Sequence, residues 1–336
     1  MRLNRTSRRL AALVAGLLGV ALALAGCGGG SQAVDAAPAA DAPVTITTAY
    51  GDTTVNAKPQ RIVALAARHV ELLNLLGEKP VAWADYTTTA EEVPQYYPWM
   101  VGTYSTDPDP NLFTADYVPA PEAIAALQPD LILTTIWQTD EQMYQQLSQI
   151  APTYVGIEKD TNTSWQDDLA ALAKLTRNDP SIVQKTQAEY DAAFKAAAEK
   201  LTQLKDKTFY IAALGEGEQL WLTEYAAAPL MALGLKPGPG QPMSGAEAAD
   251  APKYSLENVD KLTADVVLVA TEHRDPNGSF KAAMQADPRV AALPAAQHNA
   301  LIYLDSTQWG AVNGGSAASE IWWLNQIMPT LEKITP

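Results

Sequence analysis

The 336-residue sequence contains one cysteine, Cys27, and only three histidines. A single cysteine has no partner within the chain for a disulfide, and three widely spaced histidines do not make a convincing site for a bare metal ion. The sequence also lacks the helix motif of zinc proteases, the nucleophile elbow of hydrolases and a phosphate-binding loop. These absences argue against a disulfide-stabilised scaffold and against the enzyme classes that depend on those motifs.

Basic residues are scarce as well. The chain has 23 Lys and Arg against 38 Asp and Glu, which gives a formal net charge of −15 at pH 7. Removing the four arginines of the first 26 residues takes this charge from −15 to −19. A folded part this acidic is not expected to bind nucleic acid, and any basic cluster in it is a candidate for function.

The first 26 residues are organised like an export signal. Four arginines precede residue 10, and the uncharged apolar run at 10–25 is too short to span a bilayer comfortably. The run ends in LAGC at 24–27, which resembles the bacterial lipobox, whose cysteine receives a diacylglyceryl group and becomes the mature N-terminus. Two or three acyl chains, such as palmitate, give a stable membrane anchor. Residues 27–43 are small, polar and punctuated by proline, which predicts a flexible tether.

Beyond the tether, short apolar runs alternate with helical patterns, which predicts an α/β architecture. RIVALA at 61–66 indicates a strand, the following amphipathic segment at 69–77 indicates a helix, and KPVAWAD at 79–85 indicates a second strand. Trp83 alternates with Val81 inside this second strand, so we expect it to belong to the core.

The second half of the chain repeats parts of the first. LLGEKPV at 75–81 corresponds to ALGLKPG at 232–238, and PEAIAALQPDLIL at 121–133 corresponds to LENVDKLTADVVL at 256–268. A repeat this long indicates two similar lobes rather than a solenoid. The segment at 179–207 has no internal glycine or proline after its start and predicts one long helix between them. The lobes are therefore predicted at 44–178 and 208–336.

Several of these segments together resemble the substrate-binding lipoproteins of ferric-siderophore and vitamin B12 ABC importers. They are the lipobox, the opening at 59–85, PEAIAALQPDLILT at 121–134, the long helix, YSLENVDKLTADVVLV at 254–269 and LPAAQHNALIYLD at 293–305. The resemblance covers nearly all of residues 59–334. It implies two Rossmann-like lobes joined by one long helix, with the ligand in the cleft between the lobes and only slight closure.

The same resemblance implies how the protein works. It would be a monomer without enzymatic activity, lipid-anchored on the extracytoplasmic face of the cell membrane, that delivers an iron chelate to an ABC permease dimer. In such proteins a glutamate of each lobe docks onto arginines of the permease, and the matching positions here are Glu122 and Glu257. From the residues alone, a carboxylate in a first helical turn could equally be there to complement the helix dipole.

Candidate ligand contacts follow the predicted strands, because open α/β lobes bind ligands at the carboxyl ends of their strands. All of these residues are aromatic or basic: Arg68, Tyr86, Tyr104, Trp137, Trp221, His273, Arg274 and Trp309. Arginine can meet the about three negative charges of a ferric tris-catecholate, while Trp and Tyr stack on its rings. Hydroxamate and carboxylate siderophores need fewer cations, so the siderophore type stays open. His69, at a helix start, is expected to be solvated.

The most favoured ligand is a ferric siderophore, whose iron is already coordinated, so we expect no cofactor and no metal site of the protein itself. Haem is an alternative, with His69 or His273 and a tyrosine such as Tyr104 as iron ligands. Cobalamin is another, although it gives no use for several cations. An exported hydrolase would need a nucleophile beside a base, and the sequence offers no such pair.

Overall fold

A computed structural model describes residues 42–85, 89–159, 161, 163–272 and 274–335. The predicted signal peptide at 1–26, Cys27 and most of the tether lie outside the described residues, as do Tyr86 and His273. None of the helices in the described ranges is long and apolar enough to cross a membrane. The domain boundaries at 43/44, 178/179 and 207/208 stay predictions.

The N-terminal lobe begins with an antiparallel hairpin, β1 (Val44–Thr48) and β2 (Gly51–Val55). A parallel sheet follows, with the strand order β4-β3-β5-β6. Its strands are β3 (Ile62–Ala64), β4 (Ala82–Trp83), β5 (Leu131–Leu133) and β6 (Thr153–Tyr154). Every residue of these four strands is buried, as expected for a parallel sheet that is covered on both faces.

Helices cover this sheet and connect its strands. They are α1 (Ala67–Leu75), α2 (Val93–Tyr96), α3 (Pro121–Ala126), α4 (Glu141–Ser148) and α5 (Trp165–Leu175), with short 3-10 helices at Pro98–Met100 and Pro110–Leu112. Helix α1 starts directly after β3, where the backbone N–H of Ala67 donates to Oδ2 of Asp85 at 2.8 Å. A carboxylate at this position satisfies a free amide of the helix N-terminus and fixes where the chain turns into α1.

The long helix α6 (Ser181–Lys200) lies between the two lobes in the sequence. It is shorter than the predicted 179–207, because Leu201 leaves the helical conformation with φ −100° and ψ 42°, and a 3-10 turn follows at Thr202–Leu204. At 1.5 Å per residue its length is about 30 Å. Its buried residues recur every three or four positions, so one face packs against α5 and the helices of the C-terminal lobe.

The C-terminal lobe has a mixed sheet. Its strands are β7 (Thr208–Leu214), β8 (Leu220–Leu222), β9 (Lys236–Pro237), β10 (Lys253–Tyr254), β11 (Val266–Ala270) and β12 (Leu301–Leu304). Strands β9, β7, β11 and β12 are parallel, whereas β8 and β10 add an antiparallel edge. The helices are α7 (Ala227–Ala232), α8 (Gly245–Ala249), α9 (Ser279–Ala286), α10 (Pro288–Ala291), α11 (Pro294–Gln297), α12 (Ser306–Asn313) and α13 (Ala317–Leu331), with 3-10 helices at Glu216–Glu218 and Leu256–Lys261.

The two lobes share a parallel arrangement that matches the sequence repeat. The first repeated segment leads into β4 in one lobe and into β9 in the other, and each pairs in parallel with the first sheet strand of its lobe. The second repeated segment contains a short helix and then β5 or β11. The prediction of two similar α/β lobes is therefore confirmed. One hydrophobic core cluster contains Trp83, Phe194 of α6 and Trp323 of α13, which joins the lobes through the long helix.

Candidate functional site

Two adjoining cavities in the described structure lie where the lobes face each other. The first has a volume of about 340 Å³ and is lined by α1, by the segment after β5 and by the end of α12. The second has a volume of about 570 Å³ and is lined by the start of α5, the start of α7 and the loop between α12 and α13. Arg68, Tyr225 and Asn313 line both cavities. The volumes lie in the range of small-molecule binding sites.

Aromatic side chains form much of the first cavity: Tyr97, Trp99, Trp137 and Tyr225. Trp99 donates its Nε1–H to Oε1 of Glu71 at 2.8 Å, which fixes the plane of the indole. Tyr225 packs edge-on against Trp309, with ring centroids 5.4 Å apart. Trp137 is 57% exposed and presents its indole at the surface of the cavity. These rings offer flat apolar faces to a ligand, with polar edges that can form hydrogen bonds.

Arg68 is the second residue of α1 and points into a buried polar cluster. Its Nη2 lies 2.7 Å from Oδ2 of Asp168 and also donates to the carbonyl oxygen of Thr163. The hydroxyl of Tyr154 donates to Oδ1 of the same aspartate at 2.6 Å. Burial raises the pKa of Asp168, while Arg68 and the Tyr154 hydroxyl oppose that rise. The charge of Arg68 is therefore largely matched inside the protein.

Two further carboxyl groups at the cavities are buried. Glu71 of α1 accepts hydrogen bonds from Trp99 and from Oγ of Ser316, and Glu320 of α13 accepts one from the hydroxyl of Tyr190 at 2.7 Å. Burial raises the pKa of each of these glutamates from 4.5 to about 7. At neutral pH both groups are therefore partly protonated.

The charge of the cavity walls is the opposite of the one that the sequence suggests. Arg68 is the one Lys or Arg among the described residues that line the two cavities. Their acidic residues are Glu71, Asp85, Glu158, Asp167, Glu224 and Glu320. The candidate list drawn from the sequence is aromatic and basic, whereas the cavities are aromatic and acidic.

The structure brings two of the described candidates, Arg68 and Trp137, to the first cavity. Trp309 is 7% exposed and lies behind Tyr225. Tyr104 packs edge-on against Trp83, with centroids 5.8 Å apart. These last two residues do not line either cavity, and only Trp309 packs against a residue that does, Tyr225.

The remaining two described candidates also lie apart from the cavity walls. Trp221 lies within β8 rather than after a strand, and Nζ of Lys253 lies 4.4 Å from the centre of its ring. Arg274 follows β11 as expected but is exposed, and it does not line either cavity. Their predicted contacts with a ligand stay predictions, as do those of Tyr86 and His273, which lie outside the described residues.

The expectation that His69 is solvated is wrong. Its side chain is 1% exposed and packs edge-on against Tyr154, with ring centroids 6.1 Å apart. Burial and the neighbouring Arg68 lower the pKa of His69 to about 3, so the ring is neutral at physiological pH. The pair proposed for haem iron, His69 with Tyr104, is not brought together at a cavity. Among the described residues, no group of three or more His, Cys, Asp or Glu could hold a metal ion.

Glu122 and Glu257 occupy equivalent positions in the two lobes. Each is the second residue of a short helix, α3 or the 3-10 helix at Leu256–Lys261, that precedes the central strand β5 or β11. Both side chains are exposed. Their role in docking to a permease stays a prediction.

The sequence does not single out several residues that line the cavities. Tyr225 follows β8, which is antiparallel, so a rule for parallel strands does not reach it. Glu71 lies inside α1, and Trp99 lies in a 3-10 helix that follows the helix α2 and not a strand. Asn313 belongs to the glycine-rich segment that follows Trp309. Glycines in a sequence can indicate that a ligand approaches the backbone closely, and Gly310 and Gly314 of this segment line the first cavity.

Comparison with known proteins gives a consistent result. The model of the family described as "Periplasmic binding protein" matches residues 62–307. The ferric enterobactin-binding periplasmic protein FepB of Escherichia coli O6:H1 (strain CFT073) is 30% identical over 289 residues, which cover 82% of this chain and 87% of the relative. The Fe(3+) dicitrate-binding periplasmic protein FecB of Escherichia coli K12 is 27% identical over 285 residues, with the same two coverages.

A solved structure supports the fold directly. The periplasmic solute binding protein of Mycobacterium smegmatis superposes with a TM-score of 0.68 at 25% sequence identity. The match covers 88% of this chain and 99% of the other. Most of the chain thus has a counterpart of known structure.

Proposed function

The chain belongs to the periplasmic binding protein family, and on that premise we propose that it captures a ferric siderophore outside the cytoplasm and delivers it to an ABC permease. Two relatives that it matches over most of their length are named for binding ferric enterobactin and Fe(3+) dicitrate. The proposed ligand therefore belongs to the ferric chelates, with iron held by the chelator and not by the protein.

The observation that carries this proposal is the aromatic-walled site to which both lobes contribute. Trp99 and Trp137 come from the N-terminal lobe, whereas Tyr225 and Asn313 come from the C-terminal lobe. A coordinatively saturated iron chelate needs outer contacts of this kind: ring faces for its apolar surface and neutral donors for its oxygens. No histidine of the described residues lines either cavity, so a hydrolase with a histidine base gains no support.

We place the protein on the extracytoplasmic face of the membrane, anchored by acyl chains on Cys27 and acting as a monomer. A tether of about 16 residues has a root-mean-square span of about 20 Å, which keeps the folded part close to the permease. Glu122 and Glu257 suit docking because they are exposed at equivalent places in the two lobes. Two such carboxylates can contact the two subunits of a permease dimer.

Tryptophan fluorescence titrations test the proposal. Ferric siderophores of the catecholate, hydroxamate and citrate types should be added separately, and at least one should quench the emission with saturation. Trp137→Ala should weaken that binding by about tenfold or more, because it removes a ring from the cavity wall. Tyr117→Ala is the matched control, since this aromatic ring is also exposed, at 49%, and does not line either cavity.

Two outcomes would contradict the proposal. One is the absence of saturable binding for every ferric chelate. The other is a Soret band on addition of haemin together with no binding of siderophores, which would move the protein to the haem-binding class.

A further inference from the structure

The charge of the cavity walls indicates which ferric chelates the protein prefers. This inference rests on the proposed function. We propose that the preferred ligand is a neutral or positively charged ferric chelate of the tris-hydroxamate kind, and that trianionic tris-catecholate chelates are disfavoured. Three hydroxamates neutralise one ferric ion, and a free amine adds one positive charge, whereas three catecholates leave three negative charges.

The first step of the argument is the supply of positive charge. Arg68 is the one cationic residue among the described residues of both cavity walls, and its guanidinium already contacts Asp168 at 2.7 Å and the carbonyl oxygen of Thr163. The internal residues outside the described ranges, at 86–88, 160, 162 and 273, include no lysine or arginine in the sequence. A trianion bound here would thus find few compensating charges.

The second step is the distribution of negative charge. Glu158 and Asp167 line the second cavity from the N-terminal lobe, and Glu224 lines it from the C-terminal lobe. Asp167 accepts a hydrogen bond from Oγ of Ser164 at 2.7 Å, and Glu224 accepts one from Oγ1 of Thr223 at 3.2 Å. These partners are neutral hydroxyl groups, which bring no positive charge to the carboxylates. Glu158 and Asp167 are exposed and Glu224 is half-buried, so water screens part of their repulsion of an anionic ligand, but like charges still disfavour binding.

The third step concerns the neutral groups at the first cavity. Gln138, Asn313 and Tyr225 line it together with the rings of Trp99 and Trp137. Amide and hydroxyl groups can donate to the neutral or delocalised oxygens of a hydroxamate chelate without needing a net ligand charge. Glu71 adds to this pattern, because its buried carboxyl group is partly protonated near neutral pH. The site as a whole therefore favours chelates that bring no excess negative charge.

The experiment compares the dissociation constants of ferrioxamine B, ferrichrome and ferric enterobactin, which carry one positive, zero and three negative charges. Titrations with the full folded protein in about 0.15 M salt should give at least about 100-fold tighter binding of ferrioxamine B or ferrichrome than of ferric enterobactin. Equal or tighter binding of ferric enterobactin, or binding of ferric citrate alone, would overturn the inference and leave the proposed function intact. If no ferric chelate binds, both fail.

Charge-neutral variants test the physical cause. Glu158→Gln combined with Glu224→Gln should weaken ferrioxamine B by about threefold to tenfold and change ferrichrome less than twofold. Glu199→Gln combined with Glu332→Gln makes the same change in net charge at exposed positions outside the cavity walls, and it should leave both affinities unchanged. Equal losses for the neutral and cationic chelates, or equal effects of the two double variants, would contradict an electrostatic preference set by the cavities.

Discussion

Glu71 of the N-terminal lobe accepts a hydrogen bond from Ser316 of the C-terminal lobe, 245 residues further along the chain. Both side chains are buried, and Ser316 is the N-cap of α13. The same carboxyl group accepts the indole N–H of Trp99, whose ring packs against Trp322 of α13 with centroids 5.2 Å apart. Part of the wall of the first cavity is thus also a contact between the lobes.

The pKa of Glu71 makes this contact sensitive to pH. Burial raises that pKa from 4.5 to about 7, so the folded protein retains a proton that the unfolded chain has released. The contribution of Glu71 to the free energy of unfolding is fully present below about pH 4.5 and is lost as the pH rises through about 7. We expect the free energy of unfolding of the wild type, relative to Glu71→Gln, to fall by on the order of 2 kcal/mol between pH 4.5 and pH 8. Urea denaturation at several pH values measures this difference.

The comparison with Glu71→Gln is needed because His69 acts in the opposite direction. Its pKa is lowered to about 3, so its contribution is present above about pH 6.5 and is lost as the pH falls. The variant leaves His69 in place, and the difference between the two proteins isolates Glu71. A difference that does not change with pH would contradict the prediction.

Arg68 and Asp168 form a buried ion pair, so we expect removal of Arg68 to reduce the stability of the protein. The two side chains are 10% and 5% exposed, so Arg68→Ala leaves a buried, unpaired carboxylate. We expect Arg68→Ala to reduce the free energy of unfolding by about 3–5 kcal/mol. Replacing both partners, as Arg68→Met with Asp168→Leu, should cost less than Arg68→Ala alone, and thermal unfolding compares the three proteins. A fully stable Arg68→Ala would show that the ion pair does not form.

Trp309 and Trp137 should differ in the kind of defect that their replacement causes. Trp309 is buried behind Tyr225, so Trp309→Ala should lower the free energy of unfolding by about 3–5 kcal/mol. Trp137 is exposed, so Trp137→Ala should change the free energy of unfolding by about 0.5 kcal/mol or less while lowering the affinity for the ligand. Chemical denaturation and titration of the same two variants separate the effects. A stable Trp309→Ala that fails to bind would instead indicate direct ligand contact.

The docking prediction can be tested in cells that contain the cognate permease. Glu122→Lys with Glu257→Lys should abolish uptake of the radiolabelled iron chelate and leave its dissociation constant unchanged, because both residues are exposed outside the cavity walls. Glu141→Lys with Glu332→Lys reverses two other exposed charges and should support normal uptake. Normal uptake by the first double variant would remove Glu122 and Glu257 from the docking model.

The proposed lipid anchor is tested by Cys27→Ser. This change removes the only thiol of the chain, so acylation cannot occur and the protein should leave the membrane fraction. Fractionation and labelling with a palmitate analogue measure the two effects, and the affinity for the chelate should be unchanged. Continued membrane association without label would point to a different mode of attachment.

The sequence predicts the sheets better than it predicts the cavity walls. Apolar runs such as RIVALA and the repeated segments locate strands, because burial on both faces demands continuous hydrophobicity. Arg68 and Trp137 are found because each lies four residues after the end of a parallel strand, β3 or β5. Trp309 follows a strand as well, but it lies in α12 on the side that packs into the core. Position along the chain does not specify which face of a helix reaches the cavity.

His69 and the hairpin show two other limits. A histidine in the first turn of a helix is usually close to water. In α1, however, the His69 ring packs against Tyr154 and is buried away from solvent. The hairpin of β1 and β2 directly follows the low-complexity tether, and its many threonines give only a weak hydrophobic pattern. In both cases tertiary packing decides the outcome.

The hairpin of β1 and β2 is held to the body of the N-terminal lobe at both of its ends. Nη2 of Arg177 donates to the carbonyl oxygens of Ala42 and Asn56 at 2.7 and 3.1 Å, and β1 packs against α5. A pull arriving from the N-terminal side of Ala42 is thus transferred to the body of the N-terminal lobe before it reaches β3 or α1. If the proposed acylation of Cys27 holds the chain at the membrane, tension in the tether would therefore act on the N-terminal lobe and not on the walls of the two cavities.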